Sequence, residues 1–132
     1  MAASQNNLTL VINQQDTNGV SILNRTIGAI SFAGTVGQFS NGILITGATT
    51  LSGTGSLPTA NIYQFLFQNN HASSIVTVTA TKQGGTGAII DLVGPSGVLC
   101  IWGQTSGSTE GYTSITLNPT VSGTPYHMFL GG

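Results

Sequence analysis

The stretch Asn61-Ile62-Tyr63-Gln64-Phe65-Leu66-Phe67-Gln68 alternates with a period of two. Tyr63, Phe65 and Phe67 fall on one side, and Ile62, Gln64, Leu66 and Gln68 on the other. That spacing belongs to an extended chain with an aromatic face turned toward a core. After a loop at 69–73, residues 74–81 repeat the pattern. Val76, Val78 and Ala80 oppose Ile75, Thr77, Thr79 and Thr81, giving a β-branched strand with one hydroxyl-rich face.

Working outward, the same grammar covers the chain. Gln83-Gly84-Gly85-Thr86-Gly87 is a turn, and 89–93, 98–102, 113–117 and 126–130 read as further strands. Gly94-Pro95-Ser96-Gly97 is a strong β-turn signal. Upstream, residues 8–12 alternate, with Leu8, Leu10 and Ile12 on one face. Asn18-Gly19 offers the two positive-φ residues of a tight hairpin, and Asn41-Gly42 is a second hairpin candidate. Residues 20–23 and 26–32 are apolar and extended, and 47–58 read as a small-residue loop. Helical spacing is nearly absent, and so are the good helix formers Lys, Glu and Arg. About eight short strands at this spacing predict an all-β chain, an antiparallel β-sandwich or barrel. Its core is expected to hold Tyr63, Phe65, Phe67, Val76, Val78, Leu99 and Ile101. One domain over 1–132 is expected, with 1–7 as an extended N-terminal arm.

The composition narrows the function. Of 132 residues only five are charged: Arg25, Lys82, Asp16, Asp91 and Glu110. That is 4%, against about 25% in ordinary soluble domains. Polarity comes instead from 32 Ser and Thr, 18 Asn and Gln, and 19 Gly. A net charge of −1 leaves no basic patch for phosphates, which argues against nucleic acid and against a polybasic membrane anchor. No apolar run reaches the ~20 residues of a spanning helix. The first seven residues lack the charge and apolar stretch of an export signal. Cys100 is alone, so no intrachain disulfide is expected.

Catalytic chemistry needs titratable groups that converge, and none do in the sequence. Asp16 sits in a turn, Glu110 in a Ser-Gly loop, and Asp91 interrupts an apolar strand, where it must face solvent, an interface or a partner such as Arg25. Cys100, inside Val98-Leu99-Cys100-Ile101-Trp102, reads as a small buried hydrophobe rather than a nucleophile. His71 reads as a loop cap and His127 as a strand-face residue, with no ligand spacing for a metal. Gly84-Gly85-Thr86-Gly87 lacks the ending of a phosphate loop. Asn7-Leu8-Thr9 and Asn24-Arg25-Thr26 match the glycosylation pattern, which carries little weight without an export signal. No catalytic residue, metal or cofactor is therefore expected. Trp102 and Tyr112 flank the loop 103–111 and offer rings on which a sugar could stack.

Three segments carry a family resemblance. Pro95-Ser96-Gly97-Val98-Leu99-Cys100-Ile101-Trp102, Gly111-Tyr112-Thr113-Ser114-Ile115-Thr116-Leu117 and the terminal Tyr126-His127-Met128-Phe129-Leu130-Gly131-Gly132 resemble small virion structural proteins of tailed bacteriophages. Gln68-Asn69-Asn70 and Ser74-Ile75-Val76-Thr77-Val78 resemble the same group, so the likeness spans 61–132. Among these proteins are capsid decoration, or cement, proteins. The resemblance implies a jelly-roll sandwich, no enzymatic activity, a major capsid protein or other virion protein as partner, and a homo-dimer or homo-trimer. It places the protein on the capsid surface after synthesis in the host cytoplasm. It transfers no binding residue. The contact regions suggested by the sequence itself are the polar arm Ala2, Ala3, Ser4, Gln5, Asn6 and Asn7, and Phe39, read as a residue of an exposed loop. The alternative is a fibre, spike or tail module that binds a host glycan through Trp102 and Tyr112.

Overall fold

The structure is a computed structural model that describes residues 5–33, 37–52, 61–85, 87–101 and 111–132. Ten strands run in order: β1 (Gln5–Gln15), β2 (Ser21–Ala33), β3 (Gly37–Leu44), β4 (Thr49–Ser52), β5 (Gln64–Asn69), β6 (Val76–Lys82), β7 (Ala88–Val93), β8 (Val98–Ile101), β9 (Tyr112–Pro119) and β10 (Thr124–Gly131). Eight of them form two four-stranded antiparallel sheets, β3-β10-β5-β8 and β4-β9-β6-β7. The first and last of the eight pair with each other, then the second and seventh, the third and sixth, and the fourth and fifth. That nesting, a long hairpin rolled into two facing sheets, is the jelly roll. Among these eight described strands, only β6 and β7 follow one another within one sheet, and every other consecutive pair lies in opposite sheets.

Alternation decides which residues the sheets share. Phe65, Phe67, Val76, Val78, Ala80, Ile115, Leu117, Met128 and Leu130 point inward and are buried together. Tyr63 is buried as well, while Leu99 and Ile101, at the edge strand β8, are partly covered and pack against the others. Phe65 and Phe67 lie with their rings stacked, and Phe67 continues onto Tyr126 of the neighbouring strand.

Several turns differ from the sequence reading. The β1–β2 hairpin is not a two-residue turn, because only Gly19 has positive φ (80°). Asp16 builds a wider loop. Its carbonyl accepts from Gly19 N–H, and its carboxylate accepts from the N–H groups of Asn18 and Val20. Asn41-Gly42 is no hairpin. It lies inside β3, with Gly42 opposite Tyr126. A Cβ on Gly42 would stand 2.8 Å from the Tyr126 hydroxyl, so glycine is there to admit the ring. The loop expected over 47–58 contains β4, a short edge strand whose Thr49 and Thr50 carry too little apolar content to show alternation. The Gly94–Gly97 turn is as read: Gly97 N–H bonds Gly94 carbonyl at 2.9 Å. Ser96 at φ 58° supplies the left-handed residue that follows proline in a type II turn.

One polar residue ties the crossings together. Asn69, at the end of β5, is fully buried. Its Nδ2 donates to the carbonyls of Ser74, Val93 and Gly94, and its Oδ1 accepts from His71 N–H. A single side chain thus pins the β5–β6 loop and the β7–β8 turn.

Candidate interaction surfaces

The strands that bury one face must present the other, and in this chain those outward faces are nearly free of charge. On the β3-β10-β5-β8 sheet, Phe39, Phe129, Leu66 and Cys100 stand opposite one another in sequence of strands, making one apolar row across the sheet. Phe39 is 78% exposed, although its ring lies tilted on Phe129 with centroids 4.9 Å apart. Ile43 and Val98 extend the exposed apolar area on the flanking strands. Phe39 is exposed as the sequence reading expects, but it lies inside β3 and not in a loop, turned outward by alternation with the buried Leu44 side of the strand. Its neighbours in the row were hidden because cross-strand register is not written locally.

The β4-β9-β6-β7 sheet presents hydroxyls. Thr50, Thr116, Thr79 and Ile90 form one row, with Thr50 Oγ1 and Thr116 Oγ1 3.0 Å apart and hydrogen-bonded. Thr77 and Thr81 sit on the same face by alternation, matching the hydroxyl face read for 74–81. Ile90 and Leu92 leave the edge strand β7 exposed and apolar.

The third surface is the β1–β2 ribbon, which among the described residues pairs with no strand of the sandwich. It is fastened at its base, where Asn6 Nδ2 donates to Gln64 Oε1 at 2.8 Å. Gly37 and Gly131 let Asn6 approach, since a Cβ on either would collide with the Asn6 amide. Over the described Gln5–Asn7, the arm expected from the sequence is the start of β1, in register with Ala33, Phe32 and Ser31. Ala2, Ala3 and Ser4 lie outside the described residues, as do Trp102 and Glu110.

The titratable side chains are dispersed. His71 Nδ1 accepts from the N–H groups of Ser73 and Ser74, capping its loop. His127 donates from Nδ1 to Asn41 Oδ1 across the β10–β3 pair. Asp91 is exposed and accepts from Leu92 N–H, with no ion pair to Arg25, which stands opposite Ile12 in the ribbon. Cys100 corrects its sequence reading. It faces outward and is exposed, because Leu99 and Ile101 take the inward positions. Partial burial still pushes its thiol pKa up, away from nucleophilic character. No group of three His, Cys, Asp or Glu that could hold a metal occurs among the described residues. Tyr112 is a second correction. Stacking on a sugar needs an open ring face, and Tyr112 is 6% exposed within the core, because its backbone bridges Ile62 and carries the ring inside. The chain matches no family model, no curated protein and no solved structure.

Proposed function

We propose that this chain is a non-enzymatic virion structural protein, a capsid decoration protein that seats on the outside of a phage head and clamps neighbouring capsid subunits. The observation that carries the reading is the pairing of an almost uncharged jelly roll with large apolar side chains on its outward strand faces: Phe39, Ile43, Val98, Ile90 and Leu92. A surface of that kind is suited to being covered, through apolar area and neutral hydrogen bonds. Each such side chain contributes about 1.5–3 kcal/mol when fully buried, so a few of them seated on a capsid protein support specific attachment. The mechanism is passive. A copy that bridges a seam binds the assembled state and not the separated subunits, and so stabilises assembly by mass action. Copies joined as a dimer or trimer add avidity without new kinds of contact.

Binding of the purified protein to particles stripped of it, measured over a salt series, tests the reading. Apolar contacts are not weakened by screening, whereas charged ones are, over a Debye length of about 8 Å at physiological ionic strength. Attachment that changes little between about 50 mM and about 500 mM salt is the expected result. No attachment to particles, or loss of most of it across that range, overturns the neutral clamp.

A further inference from the structure

The β1–β2 ribbon has two unlike faces. In register, Leu10 stands opposite Ile27, Ile12 opposite Arg25, and Gln14 opposite Leu23. Residues directly opposite share a face, so Leu8, Leu10, Ile12, Leu23 and Ile27 lie together with Gln14 and Arg25. The other face carries Asn7, Thr9, Asn13, Asn24 and Thr26, with Val11 and Ile22 as its two exposed apolar residues, by the same alternation. Ile12, Leu23 and Ile27 are each at least 41% exposed. A mainly apolar face and a mainly polar face are the pattern of a sheet packed on one side, yet among the described residues no third strand pairs with this ribbon. A lone two-stranded ribbon in water is marginally stable at best.

We infer that the apolar face of the ribbon is a self-association surface, and that it packs against the same face of a second copy about a two-fold axis. The dimensions fit. Strands of 11 and 13 residues make a ribbon about 36 Å long and 10 Å wide, which with its side chains offers on the order of 500 Å² per face. Two such faces bury about 1,000 Å², the lower bound for a biological interface. Face-to-face packing about 10 Å apart then completes a four-stranded sandwich from two half-covered ribbons. Charge sets the orientation. Arg25 is the one charged residue on this face, level with Ile12 and toward the tip. Side-by-side ribbons pointing the same way would bring two arginines to one level. Antiparallel ribbons centred on Leu10 and Ile27 separate them by about four residues, roughly 13 Å, beyond a Debye length. The pairing does not depend on what the dimer is attached to.

Sedimentation of the free protein at micromolar concentration tests this, with Ile12→Ser/Ile27→Ser on the apolar face and Val11→Ser on the polar face. The unaltered protein and Val11→Ser are expected as dimers. The double variant is expected to dissociate with a Kd weaker by about a hundredfold or more, while its β-rich circular dichroism and sandwich melting are retained. A strictly monomeric unaltered protein overturns the proposal, including the case in which the double variant instead loses attachment to stripped particles, which would assign the face to the capsid. A double variant that remains dimeric, or a Val11→Ser protein that becomes monomeric, overturns it as well. Because the readout is free protein in solution, its failure is separate from failure of the clamp reading.

Discussion

Replacing Asn69 by Ala removes one side chain and leaves several partners behind. The two Nδ2 protons serve the carbonyls of Ser74, Val93 and Gly94, at 2.7, 3.1 and 3.0 Å. Oδ1 serves the N–H of His71 at 3.0 Å. Gly94 carbonyl keeps a bond from Gly97 N–H, so its loss is partial. With each buried group left unpaired costing about 1–3 kcal/mol, and some relieved by water, the substitution costs about 3–5 kcal/mol. That is a large share of the 5–15 kcal/mol typical of a domain. At about 3–4 °C per kcal/mol for a chain of this size, the melting temperature falls by about 9–20 °C. Asn69→Asp, equal in shape, loses the donors and points a carboxylate at carbonyl oxygens. It is expected to be at least as damaging at neutral pH. Scanning calorimetry of the three proteins measures this. An Asn69→Ala protein that melts within about 3 °C of the unaltered one would refute the view that this residue pins the two crossings.

Other outcomes follow from the same contacts. Gly131→Ala sets a methyl against Gln64 Oε1 and Asn6 Nδ2, so the base of the ribbon should detach, with faster amide exchange in β1 than in the unaltered protein. Phe39→Ser removes an exposed ring from the outer row. It should leave the melting temperature within a few degrees while weakening attachment to stripped particles about tenfold or more. Burial raises the Cys100 pKa, so the folded state favours the neutral thiol. Any stability tied to that preference is complete below the unfolded pKa of about 8.5 and is lost as pH rises through the higher folded value. Alkylation should accordingly be slow near neutrality and accelerate only above that range, as a pH–rate series with iodoacetamide would show.

How far the fold was legible depended on how much of it is local. Tyr63, Phe65 and Phe67, and then Val76, Val78 and Ala80, wrote their strands and their faces directly into the sequence, because a period of two needs no distant partner. The turn at Pro95-Ser96 was equally local. Asn69 was read as the start of a loop, since its value lies in three carbonyls contributed by other parts of the chain. Gly42 was read as a turn residue because its role, room for the Tyr126 ring, is set by a strand more than eighty positions away. Cys100 was placed inward by its apolar neighbours, but strict alternation from Leu99 and Ile101 would have turned it out. The surfaces divide in the same way. Phe39 and the threonines of 74–81 stood out singly, as did Leu8, Leu10 and Ile12. Their assembly into rows and a two-faced ribbon required register.

The most direct measurement is a cryo-electron-microscopy comparison of virions that carry this protein with virions lacking it. The account predicts jelly-roll density on the outside of the head over the seams between capsid subunits, present in the first and absent from the second. It also predicts that heads without the protein rupture at lower temperature. Density confined to the tail or fibres, or heads equally stable and identical in outline with and without the protein, would contradict it.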